Sequence, residues 1–329
     1  MTQTLQRYDA NIGFFQDQLT HFEQKIFENY FPDSYKFASG TLVPIMTYNT
    51  PGVEYSAYRV VEYFGEFQLA GNNTTEFPEV KSAWYEVRLP VSRFVSGYSY
   101  SVSDLEAMEY ANSAAGNFPA LDILANNIKG VRQTYIQTLN NLIAYGNPDT
   151  GSPGFIGHPS ILRSYSPIAI DDNTSSEDIL NALSRCISQI PEYTNEKETG
   201  KFAVLLPRKY YDILKNRLYT SSNNNSVINK TLLQHFVEAN SHYIDGVEVC
   251  SELNPQRLAK RGYEVEHQHC IQVFMRDPDA VRSCIYQPLT FNEVREKGAE
   301  GFYRSAKMKL GEIQFIRPHS AHITYFQPS

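Results

Sequence analysis

Two long runs of strand-forming residues, split by a stretch of turn formers, restrict this chain more than any other feature. Tyr58-Arg-Val-Val-Glu-Tyr-Phe-Gly-Glu-Phe-Gln-Leu69 and Ala83-Trp-Tyr-Glu-Val-Arg-Leu-Pro-Val-Ser-Arg-Phe-Val95 each mix β-branched, aromatic and charged residues, the composition of strands that meet solvent. Between them lies Gly71-Asn-Asn-Thr-Thr-Glu-Phe-Pro78, a run of turn formers. This predicts a ribbon of two long strands with a tip near 71–78. Charges of both signs sit along it: Arg59, Glu62 and Glu66 on the first strand, Glu86, Arg88 and Arg93 on the second. A two-stranded ribbon is not stable alone in water. It must lie on something, either its own domain or a neighbouring copy.

The rest of the chain falls into recognisable pieces. Residues 1–54 read as an arm, with an amphipathic helix over Phe14–Tyr30 carrying Phe15, Leu19, Phe22 and Ile26,. Pro44 excludes a central strand for the extended piece Thr41–Met46,. After the ribbon, 55–100, a short helix is expected over Ser103–Ala111, with Ser103 as N-cap and Glu106 completing a capping box,. A long helix follows from Pro119 to Tyr145. Leu121, Leu124, Ile128, Val131, Tyr135, Leu139 and Leu142 give it one continuous apolar stripe,, and at 1.5 Å per residue it runs roughly 40 Å. Gly146-Asn-Pro148 stops it.

From about 165 to 265 helices and strands alternate, as in a compact α/β subdomain. A helix over Ser176–Ile190 is capped by Ser175 or Ser176, Phe202–Leu206 is a strand, and Pro207 opens a helix. Ser221–Ser226 is a polar loop, Val227–Asn240 a helix and Val247–Cys250 a strand. Residues 266–329 return to β, with strands over Cys270–Met275 and Val281–Tyr286 and two further segments, Phe302–Lys309 and Ile313–Phe326. The expected class is α+β, divided as 1–54, 55–100, 101–164, 165–265 and 266–329.

Composition narrows the function classes. A net charge of −7 argues against a dedicated nucleic-acid binder, which shows a basic face, but not against a protein that merely encloses nucleic acid. With 23 Tyr and 19 Phe against 1 Trp, the chain is rich in rings that pack on one side and hydrogen-bond on the other. Both a β-rich fold and extensive burial against copies of itself explain that bias. Cys186, Cys250, Cys270 and Cys284 form no C-x-x-C pair and read as reduced, buried thiols. The first ten residues carry no apolar signal core,, and no stretch approaches the roughly 20 apolar residues of a membrane span.

Signatures of chemistry are scarce. Gly146-x4-Gly151-Ser152 lacks the Lys of a phosphate loop and follows a helix rather than a strand,. There is no G-x-S-x-G elbow and no H-E-x-x-H,. His267-Gln-His-Cys270 is the best metal candidate, with His267 and His269 expected on one face of a strand,, but a closed zinc site needs about four ligands and no second cluster stands out. Asp277 and Asp279 flank Pro278 in a turn, and Asp171-Asp172 lies in polar loop sequence,. No cofactor, metal or catalytic residue is expected. The positive features are mechanical: an arm, a ribbon, a very long helix and a compact α/β piece.

That order resembles the Hong Kong 97 family of tailed-phage major capsid proteins. Leu42-Val-Pro-Ile45 looks like the segment leading into the family's extended hairpin, the E-loop. Gly65 and Phe77-Pro-Glu-Val80 resemble the hairpin itself. Tyr98–Leu105 resembles the aromatic strand before the spine helix, and Asn140–Ile161, with Gly146, Gly154 and Gly157, resembles the spine end and its glycine loop. Phe202-Ala-Val-Leu-Leu-Pro-Arg-Lys-Tyr-Tyr211 looks like the strand-to-helix start of the axial domain, and Gly311–Tyr325 resembles the last peripheral strands.

The resemblance implies a non-enzymatic structural protein that self-assembles, as hexamers and pentamers, into an icosahedral shell around double-stranded phage DNA. It would assemble in the host bacterial cytoplasm and end in the virion, with no membrane and no sequence-specific DNA binding. A scaffolding protein, a portal and a decoration or cement protein are the partners it allows. In its terms 1–54 is the N-terminal arm, 55–100 the E-loop, 101–164 the peripheral domain with its spine, 165–265 the axial domain and 266–329 the peripheral return strands. Inter-subunit contact is expected at Arg59, Glu62, Glu66, Lys81, Trp84 and Arg88 of the E-loop. Some members cross-link a hairpin Lys to a neighbour's Asn; the surroundings of Lys81 do not match that pattern, and it reads as a surface lysine. Encapsulin compartments share the fold, so a compartment holding a cargo enzyme is an alternative. A soluble α/β enzyme using the ribbon to dimerise is another.

Overall fold

The computed structural model describes residues 35–66, 79–113, 122–194, 200–220, 227–298 and 300–328. The helix expected over Phe14–Tyr30, the tip at 71–78, the polar loop 221–226 and the start of the long helix at Pro119 lie outside these residues. In the first part of the chain come β1 (Ile45–Thr47), β2 (Tyr55–Phe64), β3 (Lys81–Ser101), α1 (Val102–Ser113) and α2 (Ile123–Tyr145). Short β4 (Gly146–Asn147) and β5 (Ser152–Pro153) follow, then β6 (Leu162–Ser166), α3 (Ser176–Tyr193), β7 (Phe202–Leu206), α4 (Arg208–Asn216), β8 (Leu218–Thr220), β9 (Val227–Thr231), α5 (Leu232–Ala239) and β10 (Ile244–Val249). The chain continues through α6 (Pro255–Lys260), α7 (Val265–Gln268), β11 (Cys270–Met275), β12 (Val281–Glu296), β13 (Gly301–Gly311), β14 (Gln314–Phe315) and β15 (Ala321–Phe326). The architecture is α+β.

The chain divides into two compact units. The smaller is built from Val95–Thr134 and Phe291–Ala306, and the larger from 35–94, Tyr135–Thr290 and 307–328. In the smaller unit Gly97 is required by close approach, since a Cβ there would stand 2.6 Å from the Arg304 carbonyl oxygen. Rings of Tyr98, Tyr100 and Phe302 stack in sequence at 6.2 and 5.4 Å. The first turn of α1 is capped by Ser101, whose Oγ accepts the Asp104 N–H at 3.1 Å while its own N–H donates to the Asp104 carboxylate at 2.8 Å. This reciprocal cap stands two residues before the expected Ser103–Glu106 box. Asp is shorter than Glu and holds the turn from the same third position.

The larger unit is organised by a five-stranded sheet in the order β10-β7-β11-β15-β6. β7 runs parallel to β10 and antiparallel to β11, and β15 runs antiparallel to β11 and parallel to β6. All five residues of β7 are buried, the pattern of a strand covered on both faces. Alternation separates its side chains into two cores. Ala203, Leu205, Phe274, Ile323 and Tyr325 join one core with Leu139, Ile143 and Phe155. Phe202, Val204, Leu206, Ile271 and Val273 join the other with α3. α3 earns that place by spacing: Ile179, Ala182, Leu183, Cys186, Ile187 and Ile190 all lie buried along one stripe,. Its N-cap is Ser175, whose side chain accepts from the Asp178 N–H.

The second sheet runs β1-β12-β13-β3-β2, with β14 pairing β12. β1 follows Pro44 and occupies an edge, as Pro44 demands,. β12 extends to Glu296, ten residues past the strand expected to end at Tyr286.

Two further expectations fail. Residues 227–231, read as the start of a helix, form β9, paired with β8 through Leu218↔Thr231 and Thr220↔Val227. The helix begins only at Leu232, because Thr231 and Gln234 form a full capping box there,. His267 and His269 do not share a strand face. The His267 N–H closes a turn on the Glu264 carbonyl at 2.9 Å, making α7, and the strand starts at Cys270.

Within the larger unit a buried polar node ties the first described segment to α2 and to Glu252. Asn140 on α2 accepts the N–H groups of Phe37 and Ala38 at 3.1 and 3.4 Å and donates to the Glu252 carboxylate at 2.8 Å. Arg257 lies 3.5 Å from the same carboxylate, and the Tyr145 hydroxyl donates to the Glu252 carbonyl at 2.8 Å. A buried carboxylate survives when it is paired and hydrogen-bonded in this way.

Candidate assembly surface

The ribbon formed by β2 and the first half of β3 is largely exposed. β2 and β3 pair antiparallel over ten positions, from Tyr55↔Pro90 to Phe64↔Lys81. Its root is tied to its own unit. Ser56 is buried, and its Oγ accepts from the Tyr286 hydroxyl and from Gln314 Nε2. The Tyr58 hydroxyl donates to the Phe315 carbonyl at 3.4 Å, and burial raises its pKa, with Tyr85 adding to the effect. Beyond the root the strands leave that support.

The register sorts the expected contact residues into two sets. Tyr55, Ala57, Arg59, Val61 and Tyr63 share a face with Ser82, Trp84, Glu86, Arg88 and Pro90,. Ser56, Tyr58, Val60, Glu62 and Phe64 share the other with Lys81, Ala83, Tyr85, Val87 and Leu89. The fold therefore brings Arg59, Trp84 and Arg88 together, sets Glu62 and Lys81 on the opposite face, and leaves Glu66 two residues beyond β2.

Glu86 organises the first set. Arg59 Nε donates to one carboxylate oxygen at 3.1 Å and Arg88 Nε to the other at 2.6 Å. Hydrogen bonds from Arg88 first and then Arg59 hold the Glu86 carboxyl below its usual range. The Arg59 guanidinium lies 5.3 Å from the centre of the Trp84 ring, a cation–π contact. The sequence reading noted the charge of Glu86 without placing it in the contact set. It also passed over Tyr55, Val61 and Tyr63, whose period-two spacing on β2 was the signal for an exposed apolar row.

The candidate metal cluster does not converge. His267 Nε2 is 3.1 Å from the Tyr165 hydroxyl and its ring lies 4.6 Å from that of Tyr325. His269 Nδ1 pairs instead with the Tyr210 hydroxyl at 2.9 Å. Among the described residues no group of three or more His, Cys, Asp or Glu is placed to hold a metal ion. No described helix is long and apolar enough to cross a membrane.

Comparison with known proteins gives a consistent picture. The family model described as "Major capsid protein" matches residues 65–325. Among solved structures, the chain is similar to the capsid protein of Myoviridae phage XM1, with a TM-score of 0.73 at 15% identity, covering 98% of this chain and 100% of that one. It is also similar to the mature capsid of bacteriophage PhiM1, with a TM-score of 0.60 at 10% identity over 94% of this chain and 91% of that one. The capsid of an empty GTA particle matches with a TM-score of 0.59 at 10% identity over 97% and 98%. No curated protein matches the sequence. The fold is thus the Hong Kong 97 type found in tailed-phage capsids, and this chain belongs to the major capsid protein family, whose members are structural proteins that join copy to copy into a shell.

Proposed function

We propose that copies of this chain gather as hexamers and pentamers and close into an icosahedral shell around double-stranded phage DNA, acting mechanically with no catalytic step of their own. Assembly takes place in the host bacterial cytoplasm, and the protein ends in the virion. The ribbon β2–β3 serves as the E-loop, gripping a neighbouring copy, and 165–265 gathers around the capsomer axis. The net charge of −7 suits a wall that encloses DNA without gripping it,. A scaffolding protein, a portal and a cement protein are the further partners of this reading.

One observation carries the role of the ribbon. Ten paired positions run out from a buried root, and among the described residues their outer side chains stay largely exposed. A ribbon of this kind gains stability only by lying on another surface, and obligate interfaces of closed assemblies often exceed about 2,000 Å².

The test is to delete 68–82 and measure both folding and assembly. The shortened chain should melt cooperatively and stay soluble, yet form no shells by light scattering and negative-stain microscopy. Normal shells from that deletion would overturn the role given to the ribbon.

A further inference from the structure

The two faces of the ribbon are not equivalent. On the Trp84 face, Tyr55, Val61, Tyr63 and Trp84 are 67, 49, 76 and 64% exposed. Val80 extends the row, since strand alternation places it on this face opposite Gly65. A Cβ on Gly65 would stand 2.9 Å from Val80 Cγ2, so the glycine leaves room for Val80 to lean across the ribbon. On the Tyr85 face the root residues Ser56 and Tyr58 are spent on the chain's own unit, and the large exposed apolar side chains of the paired stretch are Phe64 and Tyr85.

The Trp84 row therefore bares roughly 400–500 Å² of aromatic and aliphatic surface, taking each ring at about 200 Å². That is about as large as the biggest apolar patch of an ordinary monomer, a size that marks an interaction site. It is also about half of what one partner contributes to a standard interface.

The ion pairs on this face point the same way. Arg59 and Arg88 have largely exposed side chains, and exposed pairs contribute little to folding. What the Arg59–Glu86–Arg88 cluster does is fix three long side chains on a rigid ladder, which lowers the ordering cost when a partner covers them. Two guanidinium groups against one carboxylate leave this face with a net positive charge. The rest of the chain is acidic enough to give a total of −7, so a second copy supplies the complementary charge.

We infer that the Trp84 face of the ribbon, and not the Tyr85 face, is the one that beds onto a second copy of this chain. The inference rests on the reading that the ribbon contacts a neighbour, and it divides the expected contact residues: Arg59, Trp84 and Arg88 lie in the interface, while Glu62 and Lys81 lie outside it.

The experiment compares two double variants, Tyr63→Ser with Trp84→Ser and Phe64→Ser with Tyr85→Ser. Each is placed in the assembly reaction in which the unchanged chain forms shells. Light scattering gives the protein concentration at half-assembly, and thermal melting checks that each variant folds. If a double variant fails to fold, the single changes Trp84→Ser and Tyr85→Ser, adjacent on one strand, replace it. The first pair should raise the half-assembly concentration at least tenfold, and the second less than twofold. Equal effects, or the reverse order, overturn the choice of face while leaving the ribbon in contact with a copy. If neither pair has an effect but deletion of 68–82 does, the choice of face also fails. If neither pair nor the deletion has an effect, the reading of the ribbon fails with it.

Discussion

The Arg59 guanidinium is held between Trp84, 5.3 Å from its ring centre, and the Glu86 carboxylate, 3.1 Å from Nε. All three groups stand at the surface of the ribbon, where water screens such contacts and leaves them little weight in folding. Glu86→Gln should leave the urea midpoint of the isolated chain unchanged. In the assembly reaction it should raise the half-assembly concentration, because the two guanidinium groups lose the carboxylate that holds them in place and must be ordered on binding,. Measuring both quantities on one preparation separates a role in folding from a role in association.

Asn140 joins two segments through three hydrogen bonds, two of them to the Phe37 and Ala38 N–H groups. Asn140→Asp would remove the donor facing Glu252 and set two buried carboxylates together. Breaking a buried charged network costs about 3–5 kcal/mol. The expected outcome is a fall of that size in unfolding free energy by urea titration at pH 7, with partial recovery at lower pH as one carboxylate takes up a proton.

Gly146 ends α2 with φ +79°, and a Cβ there would stand 2.1 Å from the Ser152 carbonyl oxygen. Left-handed backbone costs an alanine about 1–2 kcal/mol before any clash is counted. Gly146→Ala should therefore destabilise by more than about 2 kcal/mol, whereas Gly130→Ala, in open space on the same helix, should stabilise slightly. Thermal melting of the two variants side by side checks both directions.

Burial lowers the imidazoles of His158 and His322 to about 4, with Arg163 adding to the effect at His158. Unfolding exposes both to water, where they titrate near 6.5. The unfolded chain then binds more protons than the folded one between these values, so stability is complete above about pH 6.5 and falls as pH drops toward 4. The loss is on the order of 3 kcal/mol per histidine at most. Urea midpoints should hold level from pH 7.5 to about 6.5 and then fall as pH drops to 5, and His322→Gln should reduce that fall by about half,.

All four cysteines are buried and reduced. Burial pushes Cys186 up to about 11 and Cys270 up to about 12, and raises Cys250 and Cys284 as well. A thiol that stays protonated and covered is inert. The native protein at pH 8 should show no fast reaction with a disulfide reagent, and the denatured protein should release four equivalents.

The larger elements were legible because each rests on a repeating pattern. The stripe from Leu124 to Leu142 and the fully apolar Phe202–Leu206 needed only their periods, and the ribbon needed only two β-rich runs around turn formers. Misreadings arose where neighbouring signals competed. Ile228 read as helix because Ile228, Leu232 and Phe236 recur every four residues, and only the Thr231–Gln234 box shows where the helix begins. The His-x-His alternation suggested a strand, but a single turn with Glu264 produces the same spacing. The apolar row of β2 was open to a period of two, but which residues of β3 join it was not. That depends on which residue of β3 lies opposite which residue of β2, and composition does not carry that register.

β15 follows every other described strand, yet it lies inside its sheet, between β11 and β6. During synthesis β7, β10 and β11 leave the ribosome with one side of the sheet still open. β6, made well over a hundred residues earlier, waits without a partner. The boundary between the two cores closes only once Ala321–Phe326 is released. A nascent chain therefore exposes its ribbon well before the five-stranded sheet can close.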